Sequence, residues 1–197
     1  MRATTRRELL AGPAGKIECA VDEPEGAPRG VALVAHPHPL FGGTLDNKVV
    51  QTLARAFVDL GYSAWRPNFR GVGATEGTHD EGCGEADDLV VVLEHLKAEK
   101  PVLAGFSFGA AMQTIVATRI KPERMVLVGL AVNKFTAPPV PADTMIIHGE
   151  KDDTAPLSAV MAWALPLDLP VIVVPGADHF FHRRLNILRA IVTNNWK

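Results

Sequence analysis

Cysteine is scarce in this chain, with only Cys19 and Cys83 among 197 residues, far apart in sequence. Two such cysteines match neither a metal-ligand spacing nor a disulfide framework, so a reducing compartment, the cytoplasm, is the expectation. Charge of one sign is also missing: 20 Lys and Arg stand against 22 Asp and Glu, for a formal net charge of −2. The signs are interspersed, which leaves no basic footprint for nucleic acid or for an anionic membrane surface. Long apolar runs are absent as well. The N-terminal MRATTRRELLAGPAG is basic, but its apolar stretch stops after two leucines at a Gly/Pro cluster, so neither a signal peptide nor a membrane span is predicted. Aromatic residues make up 6% of the chain, and Trp65, Trp163 and Trp196 define no interface, which leaves monomer and homodimer both open.

What is present suffices for one well-filled core. At 47% hydrophobic residues the chain is predicted to form a single domain over 1–197, with the Pro/Gly clusters at 24–30 and 138–141 as loops inside it. Strand and helix signals alternate. Strands are predicted at 30–36, 63–68, 101–106, 124–132, 144–149 and 169–175, and a segment around 16–22 adds an edge strand. Helices are predicted at 46–61, with Asp46 as N-cap, then at 87–99, 108–119, from about Pro156, and near 182–195. Strands separated by helices imply a mostly parallel sheet covered on both faces, with chemistry at the carboxyl ends of its strands.

The stretch PVLAGFSFGAAM ends an apolar strand in Gly105-Phe106-Ser107-Phe108-Gly109. A serine presented on a sharp strand-to-helix turn needs neighbours without bulk two residues before and after, and Gly105 and Gly109 supply them. Ser107 is therefore the candidate nucleophile, and the N–H of Phe108 a candidate donor to a developing oxyanion. The strand at 144–149 runs into Gly149-Glu150-Lys151-Asp152-Asp153, and that at 169–175 into Gly176-Ala177-Asp178-His179. His179 is the candidate general base and Asp152 or Asp153 the acid that orients it.

The order Ser, Asp, His along the chain, together with HPHPLFGGTLDNKVV, PNFRGVGATEG, GFSFGA, HGEKDDTAP and PGADHFFHRRL, resembles the α/β-hydrolase superfamily. Within it, the chain looks like the small, capless bacterial serine hydrolases of the dienelactone-hydrolase-like group, over about residues 30–188. The family pattern G-x-x-D-x-x-V-P falls on Gly149, Asp152 and Pro156, with Ala155 in place of valine, and so favours Asp152 over Asp153. Pro37 and Pro39 have no N–H to offer as second oxyanion donor, which leaves His38 and Leu40, and the superfamily's His-Gly-x loop places it at the N–H of His38. Serine in place of the cysteine of dienelactone hydrolases implies oxygen-ester chemistry. Larger members insert a lid where this chain has only Asn133 to Asp143, so the resemblance implies an open cleft.

The resulting expectation is a serine hydrolase acting on a small ester of short to medium acyl chain through an acyl-enzyme. Thioester or amide cleavage uses the same triad, and a non-catalytic binding protein on this scaffold is the reading from another class. Leu40, Phe41 and Phe180 are the candidate substrate contacts; of Phe41, Phe106, Phe108, Phe180 and Phe181, at least two are expected to be plain core. His36 and the His38 ring are expected to brace their loop, and Arg70 to make an internal salt bridge rather than receive a substrate carboxylate. No cofactor and no metal are expected. Gly71-Val72-Gly73 lacks the third glycine of a dinucleotide fingerprint, with Glu76 at that position, and His36-Pro37-His38 is followed by Leu40 and Phe41 where a zinc site needs ligands.

Overall fold

The structure is a computed structural model and describes residues 5–196. Among the described residues eight strands form one sheet in the order β1-β2-β4-β3-β5-β6-β7-β8. The parallel part comprises β3 (Val31–Ala35), β4 (Ser63–Pro67), β5 (Val102–Phe106), β6 (Arg124–Val128), β7 (Met145–Gly149) and β8 (Val171–Val174). Buried on both faces, β4, β5 and β7 read as continuous runs without alternation, as parallel strands between helical layers must. Helices α1 (Lys48–Asp59) and α5 (Leu185–Asn194) cover one face; α2 (Cys83–His95), α3 (Phe108–Val116) and α4 (Leu157–Ala164) cover the other. Alternate residues of β6 feed the two cores, Val126 and Val128 into the first, Met125 and Leu127 into the second.

The sequence reading of an edge strand near 16–22 is corrected. β2 (Gly15–Asp22) lies inside the sheet, antiparallel to both β4 and the true edge, β1 (Arg6–Gly12). The edge strand has no apolar alternation to mark it, because Arg6, Arg7 and Glu8 carry charges on a strand with only Leu10 buried. Helix starts also move. Asn47, not Asp46, caps α1, because its Oδ1 accepts the N–H groups of Val49 at 2.9 Å and Val50 at 3.4 Å. α2 begins at Cys83 rather than 87, since the Glu85 carboxylate accepts the N–H of Gly82 at 2.9 Å and so secures an earlier first turn. Pro156 occupies the cap position of α4, one residue before the first turn.

Chain order places the site. From β3 the chain moves to β4 on one side, then returns to β5 on the other, so the direction of winding reverses between β3 and β5. At such a switch point the connections leaving adjacent strands diverge and open a crevice at the carboxyl ends. The loop after β3 and the turn after β5 flank it. The β6–β7 connection contains no helix or strand, so nothing inserted there covers the crevice. No helix is long and apolar enough to cross a membrane among the described residues.

Candidate active site

Ser107 joins β5 to α3 with φ 56° and ψ −115°, a backbone conformation that costs a non-glycine residue energy and persists only where its surroundings impose it. The surroundings here are glycines in close approach. A Cβ at Gly105 would lie 2.4 Å from the Gly109 carbonyl oxygen, and one at Gly109 would lie 2.5 Å from the carbonyl oxygens of Ala35 and His36. The turn is thus locked between its own helix and the end of β3. It directs the Ser107 hydroxyl into a cleft of about 350 Å³ lined by Pro37, His38, Phe41, Asn47, Lys134 and Phe180, among others.

His179, from the loop after β8, places Nε2 3.0 Å from Ser107 Oγ. Its Nδ1 lies 2.7 Å from Asp152 Oδ2, and a carboxylate can only accept, so Nδ1 carries the proton and Nε2 faces the serine as an acceptor. Asp152 is fixed through its other oxygen, which accepts the N–H groups of Thr154 at 3.0 Å and Ala155 at 2.8 Å. Asp153 is exposed and makes no contact with His179, so the chain of hydrogen bonds runs through Asp152. All three side chains are buried apart from the opening at Ser107.

The main-chain N–H groups of Phe108 and His38 have no acceptor among the described residues, leaving both free to donate. The loop carrying His38 is held by rings. His36 is fully buried; its Nδ1–H donates to Pro37 O at 2.6 Å and its Nε2 accepts the N–H of Phe69 at 2.9 Å. Burial lowers its pKa from 6.5 to about 4, so the ring stays neutral. His38 Nδ1 accepts the N–H of Leu40 at 3.2 Å, and its ring packs on Phe41, His79, Phe108 and Phe135 at centroid distances of 4.8 to 5.6 Å. Arg70 is engaged by Asp88 at 2.7 Å and Asp80 at 3.2 Å and is not among the residues lining the cleft.

The expected substrate contacts divide. Phe41 and Phe180 line the cleft, at 84% and 46% exposed, whereas Leu40 does not and turns to solvent. Pro39-Leu40-Phe41 forms a single 3₁₀ turn, which sends consecutive side chains in different directions and separates Leu40 from the wall that Phe41 joins. Phe106, Phe108 and Phe181 are fully buried core.

Three residues at the site carried no sequence signal. Gly129, after β6, has φ +54°, and a Cβ there would meet His179 Cε1 at 3.3 Å and Phe106 at 3.1 Å, so the imidazole occupies the space a side chain would take. A glycine interrupting the apolar run of the strand predicted at 124–132 was the available hint. His148, buried in β7, donates from Nε2 to Ala155 O at 2.7 Å and lies 3.4 Å from Asp152 Oδ2, bracing the loop that holds the acid. Burial lowers its pKa. Lys134 reaches the cleft from the β6–β7 connection.

A strained serine after the central strand, a histidine after the last strand and an aspartate between them, on this sheet order, define the α/β-hydrolase class. The family model for the alpha/beta hydrolase fold matches residues 38–142, and the chain belongs to that family. An uncharacterized protein from Rickettsia prowazekii is 35% identical over 192 residues, covering 86% of this chain and 79% of its own length. Among solved structures, an alpha-beta serine hydrolase homologue from Coxiella burnetii is 38% identical with a TM-score of 0.90, covering 98% of this chain and 97% of the other. A serine hydrolase without a lid from Xanthomonas campestris is 34% identical, also at 0.90, covering 98% and 94%. The fold and these relatives support hydrolase activity for this chain.

Proposed function

We propose that this protein is a serine esterase that cleaves small carboxylic esters of short to medium acyl chain through an acyl-enzyme. In this reading Ser107 Oγ attacks the ester carbonyl while His179 Nε2 takes its proton. The charge that develops on the carbonyl oxygen is received by the N–H groups of Phe108 and His38, reinforced by the N-terminal end of α3. Asp152 holds the imidazole in the required tautomer and stabilises its cation. Collapse expels the alcohol, which takes the proton from His179. Water then attacks the acyl carbon while giving a proton to the same nitrogen, and collapse breaks the bond to Ser107 Oγ, which takes that proton back as the acid leaves.

The observation that carries the reading is the continuous hydrogen-bonded path from Ser107 through His179 to Asp152, opening into an otherwise largely apolar cleft. A cleft of about 350 Å³ stands at the small end of ligand pockets, which suits a compact substrate. Both cysteines are free, in keeping with the cytoplasm as the place of action.

The test is hydrolysis of a chain-length series of p-nitrophenyl esters by wild type and Ser107→Ala, with intact mass after exposure to a fluorophosphonate. Turnover and a single adduct are expected in the wild type. The variant should lose the adduct and at least about 10³-fold in rate. A folded wild type that neither turns over nor forms the adduct would overturn the proposal.

A further inference from the structure

The charge of the cleft narrows the substrate class, on the footing of the esterase reading. The residues lining the cleft include no aspartate or glutamate and one lysine, Lys134. No hydrogen bond or ion pair engages its ammonium among the described residues. The backbone beneath it is held in place: the Ala131 carbonyl accepts the N–H groups of both Lys134, at 3.0 Å, and Phe135, at 3.1 Å. Asn133 Nδ2 donates to Thr154 O at 3.4 Å, which ties this turn to the loop presenting Asp152.

Neutral donors accompany the cation. Asn47 spends its Oδ1 on capping α1, which leaves its amide N–H groups for the cleft. His38 Nδ1 is an acceptor for Leu40, so the neutral ring carries its proton on Nε2. That ring is kept neutral because its pKa is lowered, first by burial and then by the charges of His79 and Lys134, with Glu81 opposing from outside the cleft lining. Phe41, Phe135 and Phe180 supply apolar walls. Donors and one cation, without an acidic side chain, describe a site suited to a monoanion. A phosphate dianion would leave one charge uncompensated, since no second lysine or arginine among the described residues lines the cleft.

We propose that the substrates are esters bearing a carboxylate a few atoms from the scissile bond, and that Lys134 receives that carboxylate. The ammonium acts on specificity and takes no part in bond breaking. An exposed ion pair at a cleft mouth contributes modestly, so the preference for the anionic ester should be roughly 3- to 10-fold and should weaken with salt.

Two matched pairs test this: monoethyl adipate against ethyl hexanoate, with the charge on the acyl side, and 3-carboxypropyl butanoate against butyl butanoate, with the charge on the alcohol side. kcat/KM is measured by chromatography of the products for wild type, Lys134→Ala, Lys134→Arg and Lys134→Glu. In at least one pair the anionic-to-neutral ratio should fall about 3- to 10-fold in Lys134→Ala, fall further in Lys134→Glu, and be retained in Lys134→Arg. The wild-type ratio in that pair should decline between 20 mM and about 500 mM salt, a readout that needs no variant. Ratios that are the same in wild type and all variants for both pairs would overturn the assignment of Lys134 while leaving the esterase standing, because both members of each pair are turned over. Folded wild type that hydrolyses none of the four esters would remove the esterase reading and the substrate class with it.

Discussion

The imidazole of His179 has one face toward Phe106, at a centroid distance of 4.8 Å, and its Nδ1 edge toward Gly129. Hydrogen bonds at both ring nitrogens set its direction, but the missing side chain at Gly129 lets it occupy that place. Gly129→Ala would force a φ that alanine tolerates poorly and add a methyl within 3.3 Å of the ring. On the proposed mechanism, a shift of the ring by a few tenths of an ångström lengthens its contact with Ser107, so kcat should drop by about 10-fold or more, with KM changed less. Steady-state kinetics on the variant, with a thermal melt to verify folding, checks this; undiminished kcat in a folded variant would show that the ring has room to spare. Ser107 and His179 could be read from sequence because each ends a strand with a recognisable local spelling. Gly129, His148 and Lys134 could not, because each acts on the site through space from strands and loops distant in sequence.

At the scale of elements, the loop between β3 and α1 depends on the neutral His36 ring, which bonds Pro37 within the loop and Phe69 beyond β4. Folding lowers the pKa of His36 from 6.5 to about 4, so below 6.5 the unfolded chain takes up a proton that the folded protein refuses. The stability contributed by the neutral ring is therefore fully present above pH 6.5 and is lost as pH falls toward 4, by about 3 kcal/mol in all. Urea unfolding of wild type and His36→Gln at pH 7, 5.5 and 4 should show the advantage of wild type shrinking as pH falls; a constant difference would refute the assignment. The helices themselves were legible to within a few residues, but their starts were not. Asn47 and Glu85 displaced the predicted boundaries because capping depends on side-chain geometry that hydrophobic spacing does not register.

Over the whole molecule, an antiparallel hairpin is attached to a parallel sheet, and the junction is ionic. Arg66 of β4 is buried and pairs with Asp22 of β2 at 2.8 Å, while its other terminal nitrogen donates to Leu45 O at 2.7 Å. Asp22 also accepts from the Thr5 hydroxyl. Asp22→Ala would leave the buried guanidinium only the exposed Asp46 carboxylate, 3.7 Å away, at an expected cost of about 2 to 4 kcal/mol measured by urea unfolding. A loss below about 1 kcal/mol would mean that the hairpin adjusts and hydrates the arginine. By itself the sequence determined the alternation of strand and helix, the elbow around Ser107 and the shortness of the β6–β7 connection, because these follow from local periodicity, local sterics and length. Only the tertiary structure decided which side chains of the 3₁₀ turn reach the cleft, that the space beside His179 is left by Gly129, and where the edge strand lies. The edge strand follows from the order in which strands pair, and the parting of Leu40 and Phe41 from a turn seated against segments distant in sequence; neither is set by local periodicity.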